Sequence, residues 1–97
     1  MSGIVPTDLE KKLVITDYIK AATEVVLTNI KKALESIDSG LDKVVKATVF
    51  LRDMADFDDM NEVYRTFFPE SPPARSCVVV RGIPGNFPVE IEVIAIK

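Results

Sequence analysis

A chain of 97 residues that is 47% hydrophobic, with 15 acidic and 12 basic side chains and a formal charge of -3, has the makeup of one compact domain with a modest core. That balance excludes a disordered chain and a broad electrostatic grip on nucleic acid, which needs clustered lysines and arginines, and no apolar run approaches transmembrane length. The complete absence of histidine removes Ser-His and Cys-His catalysis and the usual His-Cys zinc sites from the chain's own repertoire.

The lone Cys77 rules out an intrachain disulfide framework and suits a reducing compartment. With no signal peptide or arginine-rich presequence in view, the expected location is the cytosol. No EF-hand pattern or tight aspartate cluster occurs, so neither a metal nor another cofactor is expected.

In chain order, Ile4-Val5-Pro6 reads as the tail of a strand. From about residue 17 to 37, Ile19, Ala22, Val26, Ile30, Ala33, Leu34 and Ile37 recur at helical spacing, with Thr16 or Asp17 to cap the start and Gly40 to end it. Residues 43–52 change period: Val45, Ala47, Val49 and Leu51 share one side, and Val44, Lys46, Thr48 and Phe50 the other. A second helix is predicted over 57–68, burying Phe57, Met60, Tyr64, Phe67 and Phe68 as plain core before Pro69 stops it. Asp58-Asp59 reads as its solvated first turn.

An apolar strand then begins at Arg75, after the stiff lead-in of Pro72-Pro73. Residues 82–87 supply turn chemistry, and residues 89–96 alternate again, so these last two strands are expected to pair as a hairpin. The predicted order is strand remnant, helix, strand, helix, strand, strand: an α+β domain over 1–97 with both helices on one face of a sheet. The other face is too apolar at Val44, Phe50, Val78 and Val80 to meet water, which predicts a partner subunit.

Two charged positions stand out. Arg75, at a hydrophobic strand start, is suited to a bidentate grip on a small carboxylate, and a structural pairing with an internal Asp or Glu is the other reading these residues leave open. Glu90 and Glu92 share the side of the last strand opposite Val89, Ile91 and Val93, and either could be an ordinary outward charge. Cys77 lacks a histidine partner and reads as apolar filler in a buried strand.

The segments Pro72-Pro73-Ala74-Arg75-Ser76-Cys77-Val78, Val89-Glu90-Ile91-Glu92-Val93-Ile94-Ala95, Leu41-Asp42-Lys43-Val44-Val45-Lys46-Ala47-Thr48-Val49-Phe50-Leu51 and Asp53 to Phe57 through Asn61-Glu62-Val63-Tyr64 to Phe67-Phe68-Pro69 together resemble the Rid (YjgF) family, also called endoribonuclease L-PSP. The resemblance implies a chorismate mutase-like fold and a homotrimer with ligand clefts between subunits. It also implies hydrolysis of reactive 2-imino acids, or their enamine tautomers, to 2-keto acids and ammonia without a cofactor. On matching positions, Arg75 would hold the substrate carboxylate, Glu90 would position or activate water, Cys77 would offer a backbone contact and Asn61 would stand near the cleft.

Family members normally begin with a strand pair bearing a Gly-Pro-Tyr-Ser type segment before a Ser-Gly-Gln-Ile-Pro type stretch. Here Ser2-Gly3-Ile4-Val5-Pro6 matches the latter with Ile4 in place of glutamine, so the family's first hairpin and active-site tyrosine are expected to be lacking. Tyr18 and Tyr64, both in helical segments, are not expected to replace it. Three functions follow for testing: an imine deaminase with reduced activity, a ribonuclease or translation inhibitor of the L-PSP type, and a non-catalytic oligomer that binds small carboxylates.

Overall fold

Two helices lie against one side of a four-stranded sheet in the computed structural model, which describes residues 3–4, 7–8, 13–14, 19–70 and 72–96. Short strands β1 (Gly3–Ile4), β2 (Thr7–Asp8) and β3 (Leu13–Val14) precede helix α1 (Ile19–Glu35). Strand β4 (Val44–Leu51), helix α2 (Phe57–Phe67), and strands β5 (Ala74–Val79) and β6 (Val89–Ala95) follow. The sheet order is β1-β6-β4-β5, and β2 and β3 pair separately. Ile4 falls in β1 as expected, whereas Val5, Pro6 and the helix-capping candidates Thr16 and Asp17 lie outside the described residues.

Helix α1 buries Ile19, Ala22, Val26, Ile30 and Leu34 from the predicted stripe, with Thr23 and Leu27 beside them. The Thr23 hydroxyl donates to the Ile19 carbonyl at 2.7 Å, which offsets the cost of burying a polar atom. The helix ends before the expected Gly40. Asp38 takes a left-handed φ of 59° and the Ser39 amide reaches back to the Leu34 carbonyl at 2.9 Å, so a short polar residue does the work of a terminal glycine. Ile37, predicted to extend the stripe, is left exposed beyond this stop.

Strand β4 departs from simple alternation at its start. An irregularity between Val44 and Lys46 turns Val44 into the core and leaves Val45 exposed, the reverse of the predicted assignment. Beyond it the expected parity holds: Ala47, Val49 and Leu51 are fully buried against the helices, and Lys46, Thr48 and Phe50 point the other way. Met60 and Tyr64 of α2 and Phe68 just beyond it close the core, with Phe57 and Phe67 half-buried at its margin.

The expected hairpin of the last two strands does not form. β5 pairs in parallel with β4, and β6 pairs antiparallel with β4's other edge, so β4 separates them. The cause is the helix between β4 and β5: a strand-helix-strand crossover brings β5 back beside β4 in the same direction, leaving β6 the opposite edge. Residues 80–88 cross the end of β4, held by Val80 N–H to Leu51 O at 2.8 Å and Arg52 N–H to Pro88 O at 3.2 Å. Arg52 also donates to both the Asn86 carbonyl and Oδ1, at 2.8 and 2.6 Å. Within this crossing, Gly85 has φ +86°, and a side chain there would meet the Phe87 ring at 2.4 Å.

Candidate functional site: an arginine against an aromatic helix face

The parity of β5 decides where Arg75 goes. It sits opposite Ala47, whose side chain is buried against the helices, so Arg75 lies on the helix-facing side of the sheet at its edge strand. On α2, residues 57, 61 and 64 recur at intervals of four and three and share one face. That face meets Arg75.

Asn61 Oδ1 accepts a hydrogen bond from one terminal guanidinium nitrogen of Arg75 at 2.6 Å. The guanidinium carbon stands 4.7 Å from the Tyr64 ring centre and 5.6 Å from that of Phe57. Tyr64 in turn packs on Phe68, ring centres 4.8 Å apart and tilted by 36°. Among the described residues the partners of Arg75 are an amide and two rings, and no acidic group pairs with it. The nearby Glu62 is bonded instead to Lys20 at 2.6 Å on the surface. That hydrogen bond and the attraction with it raise the Lys20 pKa and lower that of Glu62.

An open cleft of about 970 Å³ lies beside this cluster, lined by Asn61, Tyr64, Phe68, Arg75 and the prolines Pro72 and Pro73, with Arg65 and Thr66 on its helical wall. The proline lead-in thus forms one side of the cleft that Arg75 enters. With one nitrogen engaged by Asn61, the remaining nitrogens of the guanidinium make no bond to a described residue, a state suited to a planar anion.

Burial of Tyr64 is nearly complete, and its hydroxyl has no hydrogen-bond partner among the described residues. Burial pushes its pKa up, with the Arg75 charge acting in the opposite direction. Cys77 shares the side of Arg75, opposite Val49, and is half-buried against the core. Burial raises its thiol pKa, again opposed by Arg75, so the reading of Cys77 as filler rather than thiolate fits its setting. The strand it sits on was expected to be buried, but Val78 and Val79 are 41% and 47% exposed, because β5 is an edge strand.

Glu90 and Glu92 occupy the opposite side of the sheet. They pair in register with Phe50 and Thr48, outward of β4, while Val89, Ile91 and Val93 fill the core. Lys46 and Ser76 join them on that side, linked by a hydrogen bond of 2.7 Å from Nζ to Oγ. Arg75, Asn61 and Cys77 are thus brought to one side of the sheet, and Glu90 is separated from them by the sheet itself. The sequence reading missed Phe57 and Tyr64 as neighbours of Arg75. Their spacing with Asn61 marked one helix face, but nothing in the sequence tied that face to a residue on a later strand.

Among the described residues, no three acidic or cysteine side chains gather as a metal site, and no helix is long and apolar enough to cross a membrane. A family model for Endoribonuclease L-PSP matches residues 1–97. A RutC family protein of Pyrococcus horikoshii is 44% identical over 97 residues, spanning all of this chain and 77% of that protein. The crystal structure of yeast Mmf1 superposes with a TM-score of 0.94 at 39% identity, covering 100% of this chain and 77% of the yeast chain. That of E. coli TdcF with bound serine has a TM-score of 0.93 at 32% identity, covering 100% and 78% of the respective chains. The helices on one face of a mixed sheet form the chorismate mutase-like α+β fold. With this fold, and with the family match running from its first residue to its last, the chain belongs to the Rid (YjgF) family, also known as endoribonuclease L-PSP.

Proposed function

We propose that this protein hydrolyses short 2-imino acids, or their enamine tautomers, to 2-keto acids and ammonia. The observation that carries the reading is Arg75: a guanidinium beside a cleft, held through one nitrogen by Asn61 and making no further hydrogen bond among the described residues. Such a group suits a substrate carboxylate. The bound serine of TdcF adds support, since it is a small molecule bearing the same carboxylate.

In this reading Arg75 anchors the carboxylate and so fixes the adjacent imine carbon. Glu90 takes a proton from water as the water oxygen bonds to that carbon, and returns it to the imine nitrogen. The resulting carbinolamine collapses as its hydroxyl proton passes to the amine nitrogen and the carbon-nitrogen bond breaks, releasing ammonia and leaving the keto oxygen that came from water. An imine is already electrophilic, so orientation and proton relay suffice.

Because Arg75 and Glu90 of one chain lie on opposite sides of its sheet, the mechanism draws Glu90 from a neighbouring copy in a homotrimer. The exposed apolar side chains Val78 and Ile94, on the sheet side away from the helices, favour such self-association. The half-buried thiol of Cys77 favours a reducing compartment such as the cytosol. The ribonuclease alternative finds less support, since the net charge of -3 repels a polyanion.

Ammonia release from an imine generated in situ by an amino acid oxidase tests the reading. Arg75→Ala is expected to lower kcat/KM by roughly 100-fold, the order set by a lost charge-assisted hydrogen-bond pair. Turnover unchanged in that variant overturns the role of Arg75. Binding of keto acid without any ammonia release by the parent would favour the non-catalytic alternative instead.

A further inference from the structure

We infer that Tyr64 is a positioning residue for Arg75, its ring face serving with that of Phe57 as an aromatic clamp that sets the guanidinium for carboxylate capture. This rests on the proposed carboxylate-binding role of Arg75 and adds a group that the family resemblance did not supply. Three observations carry it. The guanidinium carbon lies 4.7 Å from the Tyr64 ring centre, within the range where a cation is drawn to a ring face. The Tyr64 ring is itself packed on Phe68, the residue that ends the helix, so the clamp does not depend on a mobile side chain. Asn61, four residues after Phe57 and three before Tyr64, engages one guanidinium nitrogen at 2.6 Å and fixes rotation about the side chain's end.

Together these contacts hold a long, flexible side chain in one pose before the ligand arrives. An arginine free in water would lose rotamer entropy on gripping a carboxylate; one already clamped loses less, and the difference appears as affinity. The buried hydroxyl of Tyr64 has no described partner, so the ring, not the hydroxyl, is the part this role requires.

The test compares Tyr64→Phe, which keeps the ring, with Tyr64→Leu, which keeps an apolar side chain without a ring face. Binding of pyruvate, measured calorimetrically on the full chain in its solution assembly, is the readout. Tyr64→Phe is expected to bind within about twofold of the parent, and Tyr64→Leu about tenfold more weakly, the order of one cation-ring contact. In an Arg75→Ala background the Tyr64→Leu change should cost nothing further, a coupling that general loosening of the fold would not produce. Should Tyr64→Leu fail to fold, Phe57→Leu at the half-buried edge of the clamp gives the same comparison with a smaller loss.

Parent-like pyruvate affinity in folded Tyr64→Leu overturns the clamp, as does equal weakening in Tyr64→Phe. A parent that binds pyruvate but releases no ammonia from imines overturns the deaminase reading and leaves the clamp standing. A parent that binds no pyruvate overturns both.

Discussion

β5 and β6 flank the same central strand, and both are rich in valine, yet they stand in opposite circumstances. From Val89 to Val93 in β6 apolar and charged residues alternate, and the structure honours this: Val89, Ile91 and Val93 are fully buried while Glu92 is exposed, the pattern breaking only at the exposed Ile94. In β5 the run Cys77-Val78-Val79 is apolar on both sides, although the chain buries neither side completely. Strict alternation marks a sheet face that meets polar surroundings. An unbroken apolar run at an edge leaves apolar surface that the proposed assembly would cover.

Substitutions that act on one strand and spare the other sharpen this contrast. The largest effect belongs to Ile91→Ala, which opens a cavity in the closed core and should cost about 2–5 kcal/mol in denaturant unfolding. A smaller loss there would mean that β6 is less tightly packed than its burial indicates. Val78→Ser should leave subunit stability within about 1 kcal/mol, because the side chain is 41% exposed, yet weaken self-association by sedimentation. Equal damage to folding would erase the distinction between the strands.

The smallest effect concerns pH. Cys77 and Tyr64 both have pKa values raised by burial, so the folded state favours their protonated forms. Each therefore contributes stability that is complete below its ordinary value, near 9.0 for the thiol and 10.0 for the phenol, and is lost as pH rises through the raised one. Melting temperature should stay level through neutrality in this respect and decline above about pH 9, less steeply in Cys77→Ala. A decline unaffected by that variant removes Cys77 as a contributor.

Much of the fold was legible because period carries it. The stripes of α1 and α2 and the alternation of β6 follow from side-chain geometry within one element. Pairing was not legible in the same way. The turn residues at 82–87 invited a hairpin, but which strand neighbours which depends on the crossover through α2, a relation between segments far apart in the chain. The position of Val44 escaped for a similar reason, since a bulge breaks parity without leaving a mark in composition.

The site divided along the same line. Arg75 stood out locally through its prolines and its apolar strand, and family resemblance supplied Asn61 and Glu90. That Arg75 meets Asn61 and Tyr64, 14 and 11 positions earlier, emerges only once β5 is seen to return beside β4 under α2. The same register sends Glu90 to the far side of the sheet, a separation that no count along β6 alone could reveal.

The irregularity at the start of β4 also sets where this strand can change in length. Val45 is the surplus residue: remove it, and Val44, Lys46 and Ala47 would fall into plain in-out-in succession, with every later side chain already on its proper face. A deletion farther along would instead invert the facing of part of the strand between its two neighbours. Loss of one residue from this segment is therefore tolerable at one position, and the core itself enforces that choice.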